Sequence, residues 1–192
     1  MSAALPQPRR HLRIDGRDLW VFDGLLDNPG VMVDALDRAP FTRTEVATPE
    51  TARHRHWVNE MDLRVYAGLP ISRATQAALA SVMPDRPLRA YRAYTNFAQF
   101  GDVLSIHTDC APEQVEYTAL WFLARDWQPD WGGETVFYDG SMDAQVVVSP
   151  RPGRLVVFHG AIPHAGRPPA RTCFEPRYSF AIKLEPVPQQ GP

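Results

Sequence analysis

The sequence predicts a mainly β fold, a sandwich or jelly roll with helices at its front, and two observations predict it. From Leu88 onward the chain passes through short β-type runs ("LRAYRAYTNF", "VLSIHTD", "VEYTALWFLA", "ETVFYD", "AQVVVS", "RLVVFHG" and "RYSFAIKL"), separated by turn residues. Nineteen prolines and twelve glycines in 192 residues argue against a helical bundle, because both residues interrupt helices and suit frequent turns.

Taken in order, the chain begins with a polar lead and then "LRIDGRDLWVFDGLL", which reads as a hairpin around Asp15-Gly16 or as two short strands. "NPGVMVDALDRA" reads as a helix capped by Asn28, with Val31, Val33, Leu36 and Ala39 facing inward. Phe41 to Met61 is rich in Thr, Arg and His and has no clear period, which predicts a long loop of the kind that forms lids. "ISRATQAALASVM" predicts a second helix, ended by Pro84. The Pro/Gln/Gly tail "EPVPQQGP" is expected to fray. This length suits one domain over 1–192: strands, helices and lid loop to residue 87, a β core over 88–185, and a tail over 186–192.

Composition excludes some classes of partner. With 44% hydrophobic residues, 22% charged residues and a net charge of −2, the chain has no electrostatic footprint for nucleic acid or anionic membrane. No apolar run approaches a membrane span, and "MSAALPQPRRHLRI" lacks the core of a signal peptide. Cys110 and Cys173 are too few for a disulfide framework, so free thiols and a cytoplasmic setting are expected. The expected assembly is a monomer or homodimer.

The chemistry starts from "LSIHTDCAPE". On a strand, residues i and i+2 share a face, so His107 and Asp109 can present an imidazole and a carboxylate to one ion. His164 in "FHGAIPHAGRPP" is the best third ligand, with His159 as its rival. Two histidines and one carboxylate form the facial triad of non-haem Fe(II) oxygenases, which leaves positions open for substrate and O2. A keto-acid cosubstrate also needs a cation for its far carboxylate, and arginine pairs with it best. In "RYSFAIKL" alternation puts Arg177, Ser179, Ala181 and Lys183 on one face, with Tyr178, Phe180, Ile182 and Leu184 packing inward on the other. Arg177 and Ser179 are therefore placed to grip one carboxylate, with Arg167 and Arg171 as competing cations.

With these residues in order, the second half resembles the 2-oxoglutarate- and Fe(II)-dependent dioxygenases, in particular the branch related to prolyl 4-hydroxylases. "IHTDC", "WGGETVFYD", "PRPGRLVVFHGAIPHAGRP" and "RYSFAIKL" carry the likeness, over roughly residues 88 to 185. The resemblance implies a double-stranded β-helix core with supporting N-terminal helices. It implies Fe(II) on His107, Asp109 and His164, and 2-oxoglutarate on Arg177 with Ser179 and a flanking Tyr94. The implied reaction consumes O2, releases succinate and CO2, and hydroxylates an unactivated C–H. Asp109 favours hydroxylation over halogenation, since related halogenases carry a small residue there.

A short chain with one modest lid and no appended module suits a small-molecule substrate, amino-acid-like or a specialised metabolite. Hydroxylation of a peptidyl residue is the alternative. Nucleic-acid dealkylation is weaker, because Lys183 stands where those relatives carry a second arginine and the surface has no basic bias. A non-enzymatic jelly-roll binding module is the remaining reading. His54 and His56, flanked by Arg53 and Arg55, are expected to be solvated or substrate-facing rather than metal-bound. Arg53, Arg55, Arg89 and Arg92 read as surface charges, Gly132 and Gly133 as backbone architecture, and Cys110 as a packing residue. Trp57, in the expected lid, is the tryptophan most suspected of touching substrate.

Overall fold

In the computed structural model, which describes residues 4–188, the fold is mainly β, with two antiparallel sheets forming a jelly roll. Strands β1 (Arg10–Ile14) and β2 (Arg17–Phe22) make the expected hairpin. Its two turn residues both have positive φ, Asp15 at 47° and Gly16 at 76°, the backbone that matches strand twist in a two-residue turn. Helix α1 (Gly30–Leu36) follows, with the Asn28 Oδ1 accepting from the Gly30 amide at 3.1 Å. Val33 and Leu36 are buried as expected, whereas Val31 points to solvent. The helix begins two residues and ends three residues inside the expected stretch, so Ala39 falls beyond it.

The expected loop over Phe41–Met61 is corrected by the structure. It holds β3 (Thr42–Glu45), a single 3₁₀ turn (Pro49–Thr51) and β4 (His56–Met61). These strands extend the main sheet beyond β5 (Leu88–Ala98). The physical reason is that β3 is an edge strand and the inner face of β4 borders a polar cavity, so neither shows apolar alternation. Helix α2 (Leu63–Gly68), not expected, is capped by Asp62, whose Oδ1 accepts from Arg64 N at 2.7 Å. Helix α3 (Pro70–Val82) buries Ile71, Thr75, Ala78 and Leu79 along one stripe.

The remaining strands are β6 (Tyr117–Leu123), β7 (Thr135–Tyr138), β8 (Ala144–Val148), β9 (Arg154–His159), β10 (His164–Gly166) and β11 (Arg177–Pro186). "VLSIHTD" is not a regular strand. Only a bridge from His107 to His164 ties it to a sheet. The main sheet runs β1-β2-β9-β6-β11-β5-β4-β3, and the smaller one β10-β7-β8. Strand β11 pairs with β5 on one side and β6 on the other, which puts it at the middle of the large sheet. It reaches one residue into the expected tail. Beyond it the Val187 amide still donates to Pro87 O at 3.0 Å, and residues 189–192 lie outside the described residues.

Each face of the large sheet has its own core. Tyr178, Phe180, Ile182 and Leu184 pack with Trp121, Ala93 and the helices on the outer side. Burying an aliphatic or Phe side chain in this way contributes roughly 1.5–3 kcal/mol. Leu120, Phe122, Val156 and Phe158 meet Phe137, Val146 and Val148 of the smaller sheet on the inner side. Where that inner layer becomes polar, a cavity opens. No helix among the described residues is long and apolar enough to cross a membrane.

Candidate active site

The cavity, of about 260 Å³, is lined by alternate residues of the large sheet's inner face: His56 from β4, Arg92, Tyr94 and Asn96 from β5, Thr118 and Leu120 from β6, and Arg177, Ser179, Ala181 and Lys183 from β11. Period-two alternation therefore builds it directly. From the opposite wall come His107, Asp109, Thr135 and His164.

His107, Asp109 and His164 offer ligand atoms that all lie within 4.8 Å of one another. The His107 and His164 backbones exchange two hydrogen bonds, at 3.0 and 2.9 Å, so the rings project from one locked bridge. Each Nδ1 faces a backbone carbonyl two residues upstream, Ser105 O at 3.0 Å and Ile162 O at 2.9 Å. A carbonyl only accepts, so Nδ1 carries the proton and Nε2 keeps its lone pair for a metal. These Nε2 atoms lie 3.5 Å (His107) and 3.7 Å (His164) from oxygens of Asp109. Burial pulls the His164 imidazole down to about 3, despite Asp109 beside it, which keeps it neutral.

One oxygen of Asp109, Oδ2, is engaged by the Lys183 ammonium and by the Thr118 hydroxyl, which donates at 2.5 Å. Oδ1 is left to face His107. Burial alone would raise the Asp109 carboxyl, but Lys183 and the two histidines hold it well below the usual range. Burial also opposes charge on Lys183, yet Asp109 keeps its ammonium above the ordinary value. The sequence had placed Lys183 on this face without a role. Its contact with Asp109 comes from the β6–β11 pairing, which is not legible locally.

Arg177 is 3% exposed. Its Nε donates to Gly133 O at 2.6 Å, Nη1 to Ser179 Oγ at 3.1 Å and Nη2 to Thr135 Oγ1 at 2.9 Å. Burial lowers this guanidinium to about 10, with Glu134 opposing. No carboxylate pairs with it among the described residues. Gly133 has φ +77°, and a Cβ there would sit 2.8 Å from Trp127 and 3.3 Å from Arg177 Cδ. Glycine is what lets β7 pass this close. Tyr94 is buried in the same cavity, with the Arg92 guanidinium 4.0 Å over its ring.

The rivals lie elsewhere. His159 packs edge-on to Tyr117 and its Nδ1 accepts from Ala161 N at 3.2 Å, away from the cavity. Arg167 donates to the Tyr138 hydroxyl, and Arg171 is exposed. Trp57, expected to meet substrate, is on the opposite face of β4 and packs under Arg43, because odd-numbered residues of that strand point away from the cavity. His54 is exposed, while His56 is buried in the cavity wall.

Residues 92–182 match the profile of the 2OG-Fe(II) oxygenase superfamily. The match spans the strands from β5 to β11, which hold the cavity's proposed ligands, and makes this core similar to that superfamily. Solved structures agree in fold. The prolyl-4-hydroxylase of Pseudomonas putida is 16% identical with a TM-score of 0.60, over 88% of this chain and 93% of that one. HygX from Streptomyces hygroscopicus, with nickel and 2-oxoglutarate bound, gives 17% and 0.66 over 88% and 83%. A second HygX structure also carries hygromycin B. The viral collagen prolyl hydroxylase of Paramecium Bursaria Chlorella virus-1, in its 2OG complex, gives 15% and 0.63 over 88% and 96%. No curated protein matches the sequence significantly.

The oxygenase uses Fe(II), 2-oxoglutarate and O2. The donor set fits: two imidazoles whose Nε2 atoms are free of hydrogen bonds and one carboxylate oxygen suit Fe(II), and the unpaired guanidinium suits a carboxylate.

Proposed function

We propose that the oxygenase hydroxylates an unactivated C–H of a small molecule, converting 2-oxoglutarate to succinate and CO2. His107, Asp109 and His164 hold the iron in this reading. Arg177 and Ser179 take the far carboxylate of 2-oxoglutarate, and Tyr94 flanks it. The observation that carries it is the buried guanidinium of Arg177, without a carboxylate partner, in one cavity with the three ligands.

Bound iron supplies the oxidising chemistry, using electrons from the keto acid. The chain's own residues set the geometry. The Nδ1 hydrogen bonds fix both imidazoles, and Lys183 with Thr118 holds Oδ2 of Asp109, which would leave Oδ1 to bind a metal. Three protein ligands leave coordination positions open. Arg177 orients the cosubstrate, and Leu120, Phe158 and Ala181 keep that end of the cavity dry.

A cavity of about 260 Å³ favours a small molecule, as does likeness to HygX, which has been solved with hygromycin B. Likeness to the viral collagen prolyl hydroxylase supports the second reading, a peptidyl substrate. Anaerobic addition of Fe(II) and 2-oxoglutarate should give the charge-transfer band of the chelate. His164→Ala should abolish the band and His159→Ala retain it. No band in the wild type would sink the reading, and the reverse pattern would move the ligand to His159. Metabolites, not proline peptides, should stimulate succinate formation.

A further inference from the structure

Two buried polar atoms have no hydrogen-bond partner among the described residues: Nε2 of His56 and Oδ1 of Asn96. Both residues line the cavity, and neither belongs to the ligand or carboxylate-binding groups. His56, 7% exposed, stands directly across the β3–β4 ladder from Glu45. Residues opposite each other share a face of the sheet, and Glu45 lines the same cavity. Of the ring atoms, Nε2 is the one buried without a partner, in a residue that lines the cavity. Asn96 is flanked in register by Val58 and Ser179, so it marks the seam between this corner and the cosubstrate end.

Charge on this corner leans one way. Arg92 is shared by two carboxylates, donating to Glu45 at 3.1 and 2.8 Å and pairing also with Glu60. The Tyr91 hydroxyl, on the same rim, donates to Glu116 at 2.6 Å. Glu45 and Glu60 thus share one guanidinium, while Glu116 is taken by the Tyr91 hydroxyl. The cavity's other cations are committed elsewhere: Lys183 to Asp109, and Arg177 to the cosubstrate in the reading above. Strands β3 and β4 lie outside the residues matched to the superfamily's model.

We propose that His56 and Glu45 form the substrate subsite and receive a protonated amine of a polar small molecule, with Asn96 contacting a neighbouring polar group. An ammonium brings several donors to two acceptors and adds positive charge beside Glu45, which shares Arg92 with Glu60. The proposal rests on the reading of this cavity as the oxygenase site, and its test separates the two.

Anaerobic protein loaded with Fe(II) and 2-oxoglutarate is titrated calorimetrically with three probes of one shape: trans-4-aminocyclohexanol, cyclohexane-1,4-diol and 4-hydroxycyclohexanecarboxylate. The amine should bind at least about tenfold more tightly than the diol, and the carboxylate most weakly. His56→Phe and Glu45→Gln should each remove most of the amine's advantage. Equal binding of diol or carboxylate, no binding of the amine, or an advantage that survives both substitutions would overturn the subsite. The wild-type ranking needs no variant to fold. The chelate band is read in the same samples. If it is absent from the wild type, the oxygenase reading of the cavity fails. If it is present without an amine preference, only the subsite fails.

Discussion

A guanidinium kept out of water without a counter-charge is costly, and Arg177 is such a group. Its three neutral acceptors satisfy hydrogen bonds but leave the charge unmatched. Arg177→Met should therefore weaken 2-oxoglutarate binding by about two orders of magnitude, since it removes a charge-assisted pair. Arg177→Lys should recover only part, because a point charge cannot reproduce the planar fork. Titration of the chelate band measures both. Lys183 acts one step further from the cosubstrate. Its ammonium holds one oxygen of Asp109, so Lys183→Met should lower Fe(II) affinity by about 10- to 100-fold, measured by chelator competition. An unchanged affinity would show that Thr118 alone positions the carboxylate.

At the scale of elements, β11 was the most readable part of the chain. Its apolar face packs against helices and its polar face lines the cavity, so both halves of the alternation are written in "RYSFAIKL". Strands β3 and β4 were unreadable for the converse reason: Glu45, His56 and Glu60 stand where a buried strand would carry apolar residues. The β-like run before His107 misled because its pairing is a single bridge, fixed by a partner far along the chain. The entry to β7 carries a sharper constraint. Gly133→Ala would place a methyl group against Trp127 at a backbone angle that alanine resists. We expect a stability loss of about 1–3 kcal/mol in urea unfolding, with weaker 2-oxoglutarate binding because Arg177 lies on the same side.

Across the whole molecule, the N-terminal segment is more than a support. It contributes β1 and β2 at one edge of the large sheet and β3 and β4 at the other. At the first of these edges, the chain just after β2 is also tied to the neighbouring β9 by an ion pair. Arg154, buried in β9, donates to both oxygens of Asp23 at 2.8 and 2.9 Å. That hydrogen bonding lowers the Asp23 carboxyl, with burial opposing and nearby arginines assisting. A carboxyl depressed on folding adds stability above its unfolded value, near about pH 4, and loses it as pH falls through the folded value. The stability gap between wild type and Asp23→Asn should therefore be full at neutral pH and close as acid is added below about pH 4. Urea melts across pH measure it. The residues proposed as metal ligands were legible as a cluster because their types and order stand out in the sequence. Those of the proposed substrate corner were not, because their meeting depends on which strands lie side by side.

The backbone clasp between His107 and His164 bears on the enzyme's life under oxidative stress. Paired amides clip the two histidine backbones together and each ring is held by its own Nδ1 contact, so their alignment should not depend on an ion. Iron lost to a chelator or to oxidation should leave the chain folded and ready to be recharged, so inactivation of this kind is reversible. The amides of His107 and His164 should exchange hydrogen equally slowly before metal removal and after it.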